Sequence, residues 1–294
     1  MISIDPKTTS TRELHQFLLG SIAPRPIAFV STIDEKGNNN LAPYSFFNAF
    51  SSNPPILVFS SNRRVIDNTT KDTLYNIKQN KEVVINVVNY EIVRQMTIAS
   101  IQFDQEISEF DKSGLTPIPS DLIAPARVKE SPVQMECKVK DIITLGTHGG
   151  AGHLIICEVV KMHIAKNVVD NNRINPHKID LMGRMGRSYY VRASGDAIHT
   201  IFQPVTEITI GYDKLPKSVQ NSPILTGNNI GQLAGIKKLP SKTEIQDIKN
   251  VPDIQKILAY DNPNIALHHF AKNILDQLDD RELAIKALML ADTL

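Results

Sequence analysis

The chain has 294 residues, 41% hydrophobic and 21% charged, which is typical of a globular protein with a substantial core. Its 32 Lys and Arg residues nearly balance its 31 Asp and Glu residues, so the overall charge favours neither nucleic acid nor an anionic membrane as a partner. The N-terminus lacks the basic start and apolar run of a signal peptide. No apolar stretch approaches the ~20 residues that span a bilayer. We therefore expect a cytoplasmic protein.

Strand patterns dominate the first half of the chain. Residues 26–33 are rich in β-formers, and a turn that contains Gly37 leads to a second strand at 40–45, which together predict a β-hairpin. Other short apolar or alternating runs predict strands at 56–60, 83–89, 133–139 and 154–164. Because the turns between strands are short and helices are few, we expect a compact antiparallel barrel and not a doubly wound parallel sheet.

Helical periodicity predicts two helices within this strand-rich part, at 69–79 and 90–101. Thr70 or Asp72 is the expected cap of the first one. The two cysteines of the chain lie in apolar strands without CxxC or metal-ligand spacing, which indicates buried, reduced thiols.

The glycine-rich run 145–153 lies between two predicted strands and is interpreted as a long hairpin turn. Its glycines are also compatible with the oxyanion loop of an esterase, but no GxSxG elbow accompanies them. A joint metal site of His153 and His163 is not favoured, since strand spacing places them on one face but far apart along it. No GxGxxG follows a strand, so a Rossmann site for a nicotinamide cofactor is not indicated.

The character of the sequence changes after the barrel. We assign residues 1–202 to the barrel domain and residues 203–294 to a C-terminal appendage, whose first part, 205–240, is rich in loops. The apolar stripe of residues 266–278 and the pattern that follows it predict a helical hairpin. We expect these stripes to be buried against the barrel or across a dimer.

The most informative segment runs from Asn40 to Ser61 and is followed by Lys71, Asp72 and Thr73. Its small hydroxyl and amide side chains can exchange hydrogen bonds with the edge of a planar heterocycle, while Ser, Arg and Lys can hold a phosphate. No strong nucleophile is paired with a base in this segment. It therefore predicts a site that holds a cofactor, and the cofactor supplies the chemistry.

Seven blocks, in the right order, resemble the flavin reductase-like family of FMN-binding split barrels, which includes flavoredoxin-type proteins. The blocks are residues 23–32, 40–55, 59–64, 71–77, 109–117, 130–139 and 183–190. The resemblance covers about residues 15–195. It implies a mainly β fold with flanking helices: a six-stranded antiparallel split β-barrel of Greek-key topology, assembled as a homodimer with FMN at or near the subunit interface.

Carried over by position, the resemblance implies a set of cofactor-binding residues. Those expected along the isoalloxazine ring are Ser31, Thr32, Ser45, Phe46 and Asn48. Those expected around the phosphate are Ser60, Ser61, Arg63, Lys71, Asp72 and Thr73. Arg184 and Tyr189 are expected near the outer face, toward the nicotinamide or the second subunit, and His148 is a further candidate for contact with either ring. No catalytic side chain and no metal are expected, because hydride passes between stacked rings.

The function that the resemblance implies is an FMN-binding oxidoreductase, which passes hydride from NAD(P)H to flavin or onward to a small acceptor. A tightly bound FMN implies an external acceptor, whereas an exchanging flavin implies delivery to a partner monooxygenase. The alternative is a non-enzymatic flavin- or haem-binding split barrel, a carrier or sensor whose C-terminal appendage transmits the ligand state. Oxidation of pyridoxamine phosphate on a similar barrel is less favoured, because the matching blocks are those of the reductases.

Overall fold

The chain divides into two compact units, Met1–His199 and Thr200–Leu294, in a computed structural model that describes residues 1–104, 106–201 and 207–294. The first unit is built on a sheet, and the second is helical. The predicted boundary between residues 202 and 203 lies outside the described residues. None of the helices in the described part of the chain is long and apolar enough to cross a membrane.

The first unit contains every strand of the described residues and five α-helices. The strands are β1 (Ala28–Ile33), β2 (Asn39–Tyr44), β3 (Phe47–Ser52), β4 (Pro55–Ser60), β5 (Glu82–Val87), β6 (Pro117–Ile118), β7 (Arg127–Val128), β8 (Val133–Thr144), β9 (His153–Ile164), β10 (Val169–Asp170), β11 (Arg173–Ile174), β12 (Met182–Arg184) and β13 (Tyr190–Arg192). The helices are α1 (Thr11–Ser21), α2 (Asp72–Asn80), α3 (Val93–Ile98), α4 (Glu109–Ser113) and α5 (Pro176–Ile179).

The main sheet is antiparallel and has the strand order β2-β1-β5-β8-β9-β4-β3. It is split-barrel-like but has seven strands and does not close, so the expected six-stranded barrel needs correction. The additional strand is β3, which pairs with β4 in the register Phe47↔Phe59 and has a bulge between Ala49 and Ser51. Five of its six residues are exposed, so it lacks the buried alternation that reveals a strand in the sequence.

Both predicted β-hairpins are confirmed. β1 and β2 pair across a turn in which Gly37 has a φ of 89°, a value that glycine adopts without strain. β8 and β9 pair up to Thr144↔His153, so the glycine-rich run is the turn between them. The sheet buries an apolar core that includes Val30, Phe59 and other residues of β1, β4, β5, β8 and β9.

Helix α2 begins later than the sequence predicts. It starts at Asp72 after Lys71, and no side chain caps its first turn, so the predicted cap by Thr70 or Asp72 is wrong. Leu74 and Ile77 are buried in the core of the sheet and fix the position of the helix. The uncapped N-terminus of α2 therefore lies at a defined place beside β1 and β2. Helix α3 is also shorter than predicted.

The second unit has its own apolar core. Its helices are α6 (Lys217–Gln220), α7 (Gly227–Ala234), α8 (Lys242–Asp247), α9 (Pro252–Leu258), α10 (Pro263–Leu278) and α11 (Arg281–Ala291). The expected helical hairpin is formed by α10 and α11. Leu267 and Leu275 of α10 pack with Ile285 and Leu288 of α11 in a cluster that consists of residues of this unit. Their stripes are thus buried within the second unit itself.

We predict that Leu288→Ala lowers the free energy of unfolding of the helical unit by about 2–5 kcal/mol, because it leaves a cavity at a fully buried position. Leu278→Ala is the matched control, since Leu278 is 70% exposed and should change stability little. Urea denaturation followed by helical circular dichroism measures both. Equal effects of the two substitutions would contradict this core.

Candidate cofactor site

A cavity of about 150 Å³ lies where α2 begins beside β2. We call it the α2 cavity. Its lining comes from β2, from the segments 64–73 and 99–103, and from α4. The lining residues are Asn40, Ala42, Pro43, Arg64, Lys71, Asp72, Thr73, Ala99, Ser100, Ile101, Gln102, Phe103 and Glu109. Lys71, Asp72 and Thr73 are thus the predicted phosphate-binding residues that line it.

Two cations, Lys71 and Arg64, line the α2 cavity together with the carboxylates of Asp72 and Glu109, and neither cation forms an ion pair within the described residues. Lys71 Nζ lies 4.6 Å from the centre of the Tyr44 ring and makes no hydrogen bond or ion pair within the described residues. Burial, and then the charge of Arg64, lowers the pKa of Lys71. Arg64 donates to Thr69 Oγ1 and the carbonyl of Thr70, both at 2.8 Å, and pairs with no carboxylate of the described chain. The two cationic groups thus retain donors that could bind an anion.

Two buried hydroxyls, those of Tyr44 and Ser61, lie close to each other and to Thr73. Tyr44 Oη and Ser61 Oγ are both inaccessible, and neither makes a hydrogen bond of normal geometry with the described residues. Burial raises the pKa of Tyr44 to about 12, while the neighbouring hydroxyls of Thr73 and Ser61 act in the opposite direction. Because an unpartnered buried polar atom is costly, this hydroxyl group is suited to a polar ligand.

Thr32 lies behind the wall of the α2 cavity. Asn40 Nδ2 donates both to Thr32 Oγ1 at 3.1 Å and to Thr73 Oγ1 at 2.9 Å. Asn76 Nδ2 also donates to Thr32 Oγ1, at 3.1 Å. Thr32 therefore positions Asn40 and, through it, the first turn of α2.

A second group of predicted residues surrounds Arg25, which is almost fully buried. Its guanidinium donates to Ser45 Oγ at 3.4 Å, to the carbonyl of Met185 at 3.0 Å and to two carbonyls at the end of α1. It also lies 6.0 Å from the centre of the Phe46 ring. Arg25 exchanges backbone hydrogen bonds with Arg184. The structure thus brings Ser45, Phe46 and Arg184 together around one arginine.

Of the remaining predicted residues, Arg184 is partly buried, whereas Tyr189 and His148 are exposed. The Arg184 guanidinium lies 4.5 Å from the centre of the Tyr190 ring and donates to the carbonyl of Arg187. Tyr189 is exposed beside this pair, and His148 is exposed in the turn between β8 and β9.

The predicted phosphate residues Ser60 and Arg63 have local partners. Ser60 Oγ donates to Asn62 Oδ1 at 2.7 Å, and Arg63 Nε donates to Asn68 Oδ1 at 2.6 Å. The glycine-rich turn packs tightly here, since a Cβ atom at Gly152 would lie 2.5 Å from Ser60 Oγ. Of the two adjacent arginines, Arg64 and not Arg63 lines the α2 cavity.

Ser31 and Asn48 also lie apart from this cavity. Ser31 is buried and donates to the carbonyl of Ala126. Asn48 is exposed on β3, and its Oδ1 accepts a hydrogen bond from the backbone of Ala49 at 2.8 Å. The sequence therefore indicated part of each group, but it did not single out Tyr44, Arg64 or Arg25. Three sequence features could have indicated them: Tyr44 lies in the run APYS, Arg64 directly follows Arg63, and Arg25 lies between two prolines.

Three possible metal ligands meet elsewhere in the described residues: Asp121, Glu136 and His163. The oxygens of Glu136 accept hydrogen bonds from the backbone of Asp121 at 2.9 Å and of Leu122 at 2.7 Å, and one lies 2.6 Å from His163 Nε2. Lys161 pairs with Asp121. Since these ligand atoms already have protein partners, the group is an ion network around the buried Glu136 that ties β8 and β9 to the adjoining loop.

The open antiparallel sheet is that of a split-barrel-like fold. The chain belongs to the flavin reductase-like family: the model of the flavin reductase like domain matches residues 19–181, which is more than half of the chain.

Similar proteins support this membership. An uncharacterized protein of Aquifex aeolicus is 38% identical over 191 residues, which are 65% of this chain and 95% of that protein. Nitrilotriacetate monooxygenase component B from Bacillus cereus is 31% identical with a TM-score of 0.63, over 69% of this chain and 98% of that one. The 2-nitrobenzoate 2-nitroreductase NbaA of Pseudomonas fluorescens is 27% identical with a TM-score of 0.63, over 71% and 100%.

We predict that Tyr44→Phe raises the free energy of unfolding of the ligand-free protein by about 1 kcal/mol, because it removes an unpartnered buried hydroxyl and keeps the ring. Tyr75→Phe on α2 should change nothing, since that side chain is exposed. Thermal and urea denaturation without flavin measure both variants. A loss of stability in Tyr44→Phe would show that its hydroxyl has a partner.

Proposed function

We propose that the protein binds FMN and passes hydride from NAD(P)H to flavin or onward to a small acceptor. The observation that carries this proposal is the α2 cavity, whose cations Lys71 and Arg64 form no ion pair within the described residues, with the buried Tyr44 ring 4.6 Å from Lys71 Nζ. Membership in the flavin reductase-like family supports it.

The residues present fit the phosphate end of FMN. Lys71 and Arg64 would supply charge-assisted hydrogen bonds, and the Ser61 and Tyr44 hydroxyls would gain the partner that they lack. The uncapped N-terminus of α2 adds its dipole and free N–H groups. Because pockets for whole small ligands usually measure about 300–1,000 Å³, the α2 cavity would hold the phosphate and its neighbouring chain and not the ring.

We place the ring near the group around Arg25. When bound, FMN supplies the acceptor for the hydride, so that NAD(P)H is oxidised while the flavin gains a hydride and a proton. Arg25 would hold Ser45 and Phe46 in fixed positions through its hydrogen bonds and its contact with the Phe46 ring. Preorganised donors of this kind stabilise negative charge that develops on a reduced ring.

The proposed acceptor is a small molecule or a partner monooxygenase. Two similar proteins support these alternatives by name, one as a monooxygenase component and one as a nitroreductase. We also propose that the protein is a homodimer, because β3 is an edge strand whose backbone and Phe50 side chain are exposed and could pair with a second copy. A cytoplasmic location is proposed as well. Residues 1–202 would form the FMN-binding domain and residues 203–294 a separate appendage.

We predict that Lys71→Gln weakens FMN binding by about 10- to 100-fold, since a hydrogen bond to a charged group contributes about 1.5–3 kcal/mol. The matched control is Lys78→Gln, which removes an exposed lysine from the last turn of the same helix and should leave binding unchanged. Quenching of flavin fluorescence measures both. Equal affinities of the two variants would contradict the assigned role of Lys71.

A second experiment separates the enzyme from a carrier or sensor. The FMN-loaded protein should oxidise NADH or NADPH faster than free FMN does, as measured by the loss of nicotinamide absorbance with free flavin, a quinone or a ferric complex as acceptor. Tight FMN binding without oxidation of either nicotinamide would contradict the oxidoreductase and support the carrier.

A further inference from the structure

A histidine that the proposed function does not use is buried in the helical unit. His268 of α10 is 9% exposed, whereas the adjacent His269 is exposed. His268 Nδ1 lies 2.8 Å from Ser222 Oγ. Ser222 belongs to residues 221–226, which connect α6 to α7 and which we call the α6–α7 segment. The contact between these two side chains therefore joins the α6–α7 segment to α10.

The hydrogen bonds of Ser222 determine where its proton lies. Its Oγ accepts hydrogen bonds from the backbone N–H groups of Ile224 at 3.2 Å and of Leu225 at 3.3 Å. A serine hydroxyl has one proton and two acceptor positions, and these two bonds occupy both acceptor positions. Its proton is therefore donated to His268 Nδ1, which accepts it only while the imidazole is neutral and carries its own proton on Nε2.

The shape of the α6–α7 segment depends on this set of bonds. Leu225 is buried in the apolar core of the helical unit. The next residue, Thr226, caps the first turn of α7. A second proton on His268 would lie on Nδ1 and face the Ser222 hydroxyl. That hydroxyl could accept it only by giving up one of the backbone bonds that hold the segment.

The charged groups near His268 act on it in opposite directions. Burial is the largest effect and lowers the pKa of His268, Asp292 at the end of α11 raises it, and His269 of the same helix lowers it. Asp292 Oδ2 accepts a hydrogen bond from Ser218 Oγ at 2.7 Å, so this carboxylate oxygen is engaged with α6. Burial prevails, and the neutral ring is favoured.

We propose that Ser222 and His268 form a pH-sensitive latch, which holds the α6–α7 segment against α10 while His268 is neutral and releases it in mild acid. The proposal does not rest on the FMN function.

Acid weakens the latch because protons bind the unfolded chain first. The folded-state pKa of His268 lies below its ordinary value of 6.5, so that below pH 6.5 the unfolded chain takes up a proton before the folded chain does. The stability that the neutral ring contributes is therefore complete above about pH 6.5, and it is lost as the pH falls through the folded-state pKa.

The test is hydrogen–deuterium exchange of the full chain, followed by mass spectrometry at about pH 7.5 and about pH 5.0. After correction for the intrinsic pH dependence of exchange, opening of the α6–α7 segment should increase severalfold at the lower pH. His268→Asn keeps an acceptor near the position of Nδ1 but cannot titrate, so the increase should be absent. His269→Asn is the matched control and should retain the increase, because His269 is exposed.

The same pH dependence in the unaltered chain and in His268→Asn would overturn the latch, as would loss of the increase in His269→Asn. If His268→Asn does not fold, an NMR titration of the unaltered chain decides instead. The imidazole of His268 should then titrate below the ordinary pKa of about 6.5, and titration at or above this value would overturn the proposal.

Discussion

Lys71 is held half-buried at the start of α2 without a counter-ion, and the candidate site depends on this constraint. Withdrawing an ammonium group from water is unfavourable, so burial, and then the charge of Arg64, lowers the pKa of Lys71. The chain nevertheless fixes the lysine there, because Leu74 and Ile77 anchor α2 in the core. A bound phosphate would pair with the ammonium group and so offset the free energy that its burial costs.

The sheet supplies the rest of the geometry. β2 carries Asn40 and Tyr44 to the same end of the helix, and Ser61 follows directly after β4. Arg25 joins the end of α1 to Ser45 and Met185, which are distant in sequence. Hydrogen bonds and packing against the sheet therefore fix part of both groups, which is what a precisely oriented ligand requires.

Most of the sheet could be predicted because its strands carry local patterns. The alternation of β8 and the apolar runs of β4 and β9 are visible in the sequence, whereas β3 is exposed along most of its length and pairs through its backbone. The predicted start of α2 was wrong, since Thr70 and Asp72 are both good caps by residue type, whereas the helix begins after Lys71 and neither side chain caps it.

The site was less predictable because it depends on which way each side chain points. Arg63 and Arg64 are equivalent in the sequence, but Asn68, in a left-handed conformation with a φ of 58°, offers Arg63 its partner and leaves Arg64 for the cavity. Ser31 and Thr32 alternate on β1, so that one contacts the Ala126 loop and the other Asn40. The unpartnered state of Tyr44 follows only from the packing of β2, β4 and α2 together.

The most direct test compares the binding of FMN and riboflavin to the unaltered chain, because the two ligands differ by the phosphate alone. Phosphate capture by Lys71 and Arg64 predicts that FMN binds about 10- to 100-fold more tightly at low salt, and that the difference shrinks as the ionic strength rises. Equal affinities at low salt, or a difference that salt does not change, would contradict a phosphate site in the α2 cavity.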